Sequence, residues 1–301
     1  MQDISANIQS FAGHLQFEKR FSRHTLRAYS DDLHQFRDFL LLTFDIQEVQ
    51  AISSVHVRSW MASLKESGIV ARTINRKLST LKSFFKYMVR TGQLALSPLA
   101  TVISPKVSKR LPAFVPEKEL LALLDGLKYT DDWKGLNAQL ILTLFYSTGI
   151  RLSELIGLRP TSIDRGSMTM KVLGKGNKER ILPLAPGIVG IIQKYEEEKR
   201  KVFETTEEYL IVTEKGRKLY PKYVYLLVRQ YLSGIRTLEK KSPHILRHSF
   251  ATHLADHGAE LNAVKELLGH ASLAATQVYT HNTIDKLRQV YRNAHPRERK
   301  P

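Results

Sequence analysis

In HILRHSFATHL, residues 244–254, three histidines and an arginine stand among small and apolar side chains. Ser242 and Pro243 precede it as N-cap and first helical residue, which places His244 in the first turn of a helix and Arg247 three residues on along the same face. Unpaired N–H groups and partial positive charge at a helix N-terminus suit an anion. Four further residues could share that work. Arg151 opens a helix just after the glycine of STGIRLSEL, with Glu154 at the spacing of a local ion pair, and Lys175 lies between the glycines of GKGNK. His270 follows Gly269 directly, and Tyr279 comes nine residues later; taken alone, it reads as a half-buried surface residue. These types admit a metal site, a proton shuttle or an anion clamp.

Of the three, the metal site has the weakest support. His244 and His248 are at i and i+4, as are His253 and His257, but neither pair has the glutamate of H-E-x-x-H and no carboxylate cluster supplies a third ligand. No metal is expected. His248 and His253 read as core histidines bonded to backbone. The phosphate-cradling motif GxxxxGK[ST] is absent, so no nucleotide cofactor is expected either.

The elements that would position these groups follow from hydrophobic spacing. Leu26, Tyr29, Leu33, Phe36 and Leu40 repeat at three and four residues after Ser22, a plausible N-cap, and Ile74, Leu78, Leu81, Phe85 and Met88 do the same up to Gly92. Opposite this second apolar set stand Arg72, Arg76, Lys77, Lys82, Lys86 and Arg90, a stripe suited to a DNA backbone, with a solvated face as the plainer reading. Pro98, Pro105, Pro112 and Pro116 punctuate LSPLATVISPKVSKRLPAFVP and predict an extended basic linker over 97–116 lying along a polyanion. Beyond it, EKELLALLDGL and LNAQLILTLFYSTG read as helices, MTMKVLGKGNKERILPL as two strands around a Gly-rich turn, and helical patterns resume near residue 186. The expected fold class is mainly α with a small antiparallel β-sheet, in two domains: helical residues 1–96, and 117–301.

Composition agrees with two cores. The chain has 301 residues and a formal net charge of +17, of which 1–104 carry +5 and 105–301 carry +12. An excess spread over both regions points to a polyanion, nucleic acid first, gripped from two sides. There are no cysteines, which removes disulfides, thiolate metal sites and cysteine nucleophiles together. Neither a signal-like start nor an apolar run of membrane-spanning length occurs, so a soluble, cytoplasmic protein without membrane attachment is expected.

TGIRLSEL, GKGNKERILPL, HILRHSFATHL and LLGHASLAATQVYTH resemble, in this order, the catalytic stretches of the tyrosine recombinase (phage integrase) family, its Xer-type site-specific recombinases in particular; SRHTLRAYSDDL resembles that family's N-terminal SAM-like core-binding domain. The resemblance implies a two-domain DNA clamp and a catalytic set of Arg151, Lys175, His244, Arg247, His270 and Tyr279, the tyrosine being the nucleophile. It implies strand cleavage through a 3′-phosphotyrosyl link without metal or ATP, and a double-stranded DNA recombination site as substrate. Further implied are a tetramer with itself or a paralogous recombinase, a cell-division DNA translocase as an additional partner, and a role in chromosome-dimer resolution. Residues 285–301 would dock on a neighbouring subunit. The chemistry is coherent: arginines donate paired hydrogen bonds to nonbridging oxygens, the histidines donate or handle the nucleophile's proton, and lysine protonates the departing 5′ oxygen. The alternatives are a mobile-element integrase, a type IB topoisomerase and a catalytically idle DNA-binding protein.

Overall fold

The computed structural model describes residues 3–107, 114–174, 179–204, 208–235, 238, 241–269 and 289–296, and they fall into two compact units, divided between Arg110 and Leu111. In the first unit, helices α1 (Ile4–Gly13), α2 (Arg23–Phe44), α3 (Ser54–Glu66) and α4 (Ala71–Arg90) bury one aromatic-rich core of Phe11, Phe36, Trp60, Phe84 and Phe85. Helix α2 begins where the sequence places it: Ser22 Oγ accepts the Thr25 amide at 3.3 Å. It ends at Asp45, in the left-handed conformation.

A buried ionic cluster joins α2 to α4. Asp32, 1% exposed, accepts from the Arg76 guanidinium through both of its terminal nitrogens, from Lys77 Nζ at 2.9 Å and from Thr80 Oγ1 at 3.0 Å. Lys77 also donates to Gln35, and its ammonium lies 5.9 Å from the centre of the Trp60 ring. This corrects the basic stripe: Lys77 is buried and serves the helix pair, and Arg76, although half exposed, is spent on Asp32. Arg90 is engaged with His14. Arg72, Lys82 and Lys86 remain as exposed side chains of α4.

The linker is shorter than 97–116. Leu99 and Val102 are buried in the first core, and Asn75 Nδ2 donates to the Pro105 carbonyl at 2.9 Å, so the chain up to there packs on the helical unit. At the far end Val115 is fully buried in the second core, its amide donating to Ser249 Oγ. Prolines set the backbone here, but apolar side chains between them anchor it.

The second unit contains α5 (Glu117–Gly126), α6 (Trp133–Thr148), α7 (Leu152–Ile156), a three-stranded sheet, α8 (Pro186–Val202), α9 (Pro221–Tyr231), α10 (Pro243–Asp256) and α11 (Leu261–Leu268). Helix α6 packs against α8, α9 and α10 and is buried on nearly every side, which explains why apolar residues stand on all of its faces. The sheet runs β1 (Ile163–Asp164), β2 (Thr169–Leu173), β3 (Glu179–Pro183), antiparallel throughout. Strand β1 was not expected; two residues are too few to show an alternation. The β2–β3 pairing closes at Leu173 opposite Glu179, so the expected hairpin carries Lys175 in its connection.

Residues 289–294 are helical, and Tyr291, Ala294 and His295 are buried within their own chain, with the His257 ring bonded to the Ala294 carbonyl. For these residues the expected docking on a neighbour is corrected: the apolar side of this helix covers its own core. Residues 285–288 and 297–301 lie outside the described residues.

Removing the Asp32 carboxylate leaves Lys77 charged and buried without its counter-ion, so Asp32→Ala should weaken the first unit by about 3 kcal/mol. With Trp133→Phe as background, the remaining tryptophan, Trp60, reports that unit's urea transition. Adding Lys77→Met should recover much of the loss. A double variant as weak as Asp32→Ala would place the cost elsewhere than in the stranded charge.

Candidate active site

Three arginines from three separate elements converge on the end of α11. Arg151 is the N-cap of α7, directly after a glycine-broken helix end: Gly149 has φ +60°, and a Cβ there would lie 2.5 Å from the Phe250 ring. That turn points Arg151 away from α6. Its amide and guanidinium both donate to Glu154, each at 2.8 Å, so the pair expected from spacing is present as a closed capping box. Arg247, buried on the second turn of α10, donates to the Gly149 carbonyl and to the Leu268 carbonyl. Arg180 comes from β3 and was not expected at all. Its terminal nitrogens donate to both oxygens of Glu154, and its Nε donates to the Leu267 carbonyl at 3.0 Å.

The carbonyls of residues 267, 268 and 269 are thus taken in turn by Arg180, Arg247 and Arg151, the last at 2.7 Å. Carbonyls at a helix C-terminus carry partial negative charge and have no partner inside the helix, so guanidiniums are natural company for them. Gly269 adopts φ +61°, and a Cβ there would come within 3.1–3.3 Å of Arg180 and Arg151. Only a residue without a side chain lets the two arginines close over this helix end.

Among the described residues one carboxylate, Glu154, is bonded by two of the three cations. Glu154 is buried, which opposes its charge, but the hydrogen bonds and charge of Arg180, followed by the hydrogen bonds of Arg151, overcome this and hold its pKa below the usual 4.5. Among the described residues Arg247 is bonded to no carboxylate. Burial first, then repulsion from Arg151 and Arg180, brings it from 12.5 to about 10, still protonated at neutral pH. The cluster therefore keeps a surplus of two positive charges in a partly desolvated place, where an anion is strongly favoured.

His244 is exposed on the first turn of α10, one turn before Arg247, as its spacing requires. His253 is the core histidine it was read as: it is buried, with Nε2 at 2.8 Å from the Val115 carbonyl and Nδ1 beside the Tyr146 hydroxyl, and burial holds its pKa below 6.5. His248 departs from that reading, being half-buried with no bond to a described backbone group. Lys175, His270 and Tyr279 lie outside the described residues. The structure does place the points of attachment: β2 and β3 on either side of Lys175, and Gly269 immediately before His270. Among the described residues no group of three or more histidine, aspartate or glutamate side chains could hold a metal ion. Nor, among them, is any helix long and apolar enough to cross a membrane.

Glu154→Gln should cost about 3 kcal/mol at neutral pH, because Arg180 loses a buried counter-charge. The sign of the pH dependence follows from the lowered pKa: the contribution is complete above about 4.5 and is lost as pH falls through the lower folded value. The stabilities of parent and variant should therefore draw together progressively as pH falls below about 4.5, which urea titrations at several pH values would read. Parallel curves would mean that the carboxylate is not ionised in the fold.

Comparison with known proteins agrees with the geometry. Residues 113–286 match the phage integrase family, and residues 8–92 match the phage integrase N-terminal SAM-like domain. A tyrosine recombinase XerC of Chlorobaculum parvum is 38% identical over 96% of this chain and 94% of its own length; the XerC of Staphylococcus saprophyticus is 37% identical over 97% and 98%. Among solved structures, the fold is similar to XerH bound to a palindromic difH substrate in a post-cleavage complex, with TM-score 0.70 and 23% identity over 95% of this chain and 83% of that one. It is also similar to a lambda integrase dimer bound to a COC′ core site, with TM-score 0.69 and 17% identity over 92% of this chain and all of the other. A family match across more than half the chain and a relative above one-third identity over nearly all of it lead to one conclusion: this chain belongs to the phage integrase family of tyrosine recombinases, enzymes that transfer DNA strands at specific sites.

Proposed function

We propose that this recombinase cleaves one strand at a time with the Tyr279 hydroxyl, holds the 3′ phosphate as a tyrosyl ester and passes it to the 5′ hydroxyl of a second duplex, in the service of chromosome-dimer resolution. The observation that carries the reading is the convergence of Arg151, Arg180 and Arg247 on one helix end, with the Glu154 carboxylate shared by the first two, at the start of the segment bearing His270 and Tyr279. A surplus of two cations matches the charge of a five-coordinate phosphorane. Fixed guanidiniums can neutralise it without any reorganisation during the step.

Each group then has a task. Arg151 and Arg247 bind the nonbridging oxygens in a planar, two-pronged manner that lysine cannot reproduce. His244 and His270 donate hydrogen bonds to the phosphate or receive the tyrosine's proton. Lys175, in the connection between β2 and β3, protonates the 5′ oxygen as it leaves. The ester conserves the energy of the broken bond, so religation needs no nucleotide. The SAM-like unit takes the opposite face of the duplex, with Arg72, Lys82 and Lys86 on the backbone. Residues 1–96 and 117–301 act as the two jaws, and the active assembly is a tetramer on two sites, formed with itself or a paralogue. The likeness to XerC recombinases over nearly the whole chain supports the chromosomal role; regulation by a cell-division translocase is a further part of the proposal.

Tyr279→Phe should bind DNA as the parent does and form no covalent adduct on a denaturing gel. Lys175→Ala should cut ordinary DNA poorly but recover on a substrate whose 5′ bridging oxygen is sulfur, since a thiolate with a pKa of about 8.5 leaves without help. Arg151→Ala and Arg247→Ala should not recover. Equal recovery by all three, or none by Lys175→Ala, would assign the acid to another residue.

Replacing Arg72, Lys82 and Lys86 together by alanine should reduce the slope of log affinity against log salt by about 2 to 3, near 0.9 per phosphate contact. Binding of a duplex at several salt concentrations measures it. An unchanged slope would leave these three residues as a solvated face.

A further inference from the structure

We infer that Arg180 is a positioning residue of the reaction: it fixes the plane of the Glu154 carboxylate, and through it the angle at which Arg151 meets the scissile phosphate. The inference rests on reading Arg151 as a phosphate ligand. Arg180 belongs to none of the residues that the resemblance implies for catalysis, and it touches no reacting atom in the scheme above.

The geometry separates Arg180 from an ordinary structural ion pair. Its side chain is 5% exposed and lies beside two other guanidiniums, one of which, Arg247, is destabilised by its charge. A cation in that place costs the fold repulsion and desolvation that an apolar residue would avoid. What the cost obtains is direction. The paired bonds from Arg180 occupy both oxygens of Glu154 and so allow that carboxylate one orientation. The remaining edge of each oxygen receives Arg151, one through the backbone amide and the other through the guanidinium. Rotation of Glu154 would carry both bonds with it. The third bond of Arg180, to the Leu267 carbonyl, ties the same unit to the helix end that Arg247 and Arg151 also hold, and His270 follows that helix end by one residue. Arg180 thus sets Arg151 and Arg247 in a common register, acting through Glu154 on the first and through the carbonyls at the end of α11 on the second.

Lysine can keep the charge but cannot span both carboxylate oxygens and a carbonyl from one rigid plane. Arg180→Lys and Arg180→Met, in the full chain, should bind the DNA site with parental affinity. The single-turnover rate constant for covalent adduct formation at saturating protein should fall on the order of 10²-fold, the effect of displacing a reacting group by about 1 Å. A neutral scissile phosphate, with methyl in place of one nonbridging oxygen, needs less cationic help. On it the deficit of both variants should shrink to below about tenfold. Arg151→Ala, run beside them, should show the same pattern.

Cleavage at the parental rate by either variant overturns the inference. So does a loss confined to the fraction of molecules able to react, with the rate constant unchanged, since that is a folding role alone. An equal deficit on the charged and neutral substrates, while Arg151→Ala is rescued, overturns it and leaves the role of Arg151 standing. If Arg151→Ala shows no deficit or no rescue, the phosphate-ligand reading itself fails and this inference with it. Should Arg180→Met lower the melting temperature below the assay range, Arg180→Lys decides alone.

Discussion

The buried carboxylate of Glu154 is the point on which the arginine cluster at the end of α11 depends. Three guanidiniums brought to one helix end would repel one another apart; a single carboxylate, shared by two of them, makes the assembly tolerable without neutralising it. Two carboxylates would satisfy the arginines internally and leave little attraction for a phosphate. With none, the cost of desolvating three cations would fall on the fold unaided. One carboxylate leaves a cationic cluster that is stable yet incomplete, and under the proposed function the anion that completes it is the scissile phosphate.

The same type of interaction has the opposite purpose in the first unit. There Asp32 is also a buried carboxylate taking bonds from two cations, but it stands between α2 and α4 with Thr80 and fixes how those helices pack. The difference lies in what is left over. Around Asp32 one cation, Arg76, is half exposed and can shed its charge into water; around Glu154 the cations are largely enclosed. Enclosure, more than the number of charges, separates a structural ion cluster from a reactive one, because the same charge attracts more strongly where water is excluded.

Much of this was legible in the chain. The helices that bury one face declare themselves by spacing, and their ends by Ser22, Gly149, Ser242–Pro243 and Gly269, each with a backbone reason to stop or start a helix there. Lys77 was misplaced through counting charges along α4 without turning them: at 3.6 residues per turn it lies about 140° round from Arg72, off the stripe and toward Asp32. Arg180 carried a signal that was passed over. It shares a strand face with Leu182, and both are buried; a charged residue at an inward register position needs a buried partner. The partner, Glu154, is 26 residues away, a separation at which spacing rules say nothing. The folding-back of residues 289–296 was equally out of reach, because an amphipathic helix announces that it needs a surface and not whose surface it is.

The helix end formed by residues 267–269 also holds the cations in the orientation that the proposed mechanism asks of them. Each guanidinium has five N–H donors in a fixed plane, and among the described residues Arg247 uses two nitrogens on carbonyls while Arg151 gives one bond to Gly269 and one to Glu154. The carbonyls hold the planes in place without cancelling their charge, since a helix terminus offers only about half an elementary charge spread over several groups. A phosphate brings a full charge and competes for donors already aimed. On the proposed mechanism the arginines are thereby oriented by weak acceptors and reserved for a strong one, so the energy released on neutralising the transition state is not first consumed in arranging the groups that do it.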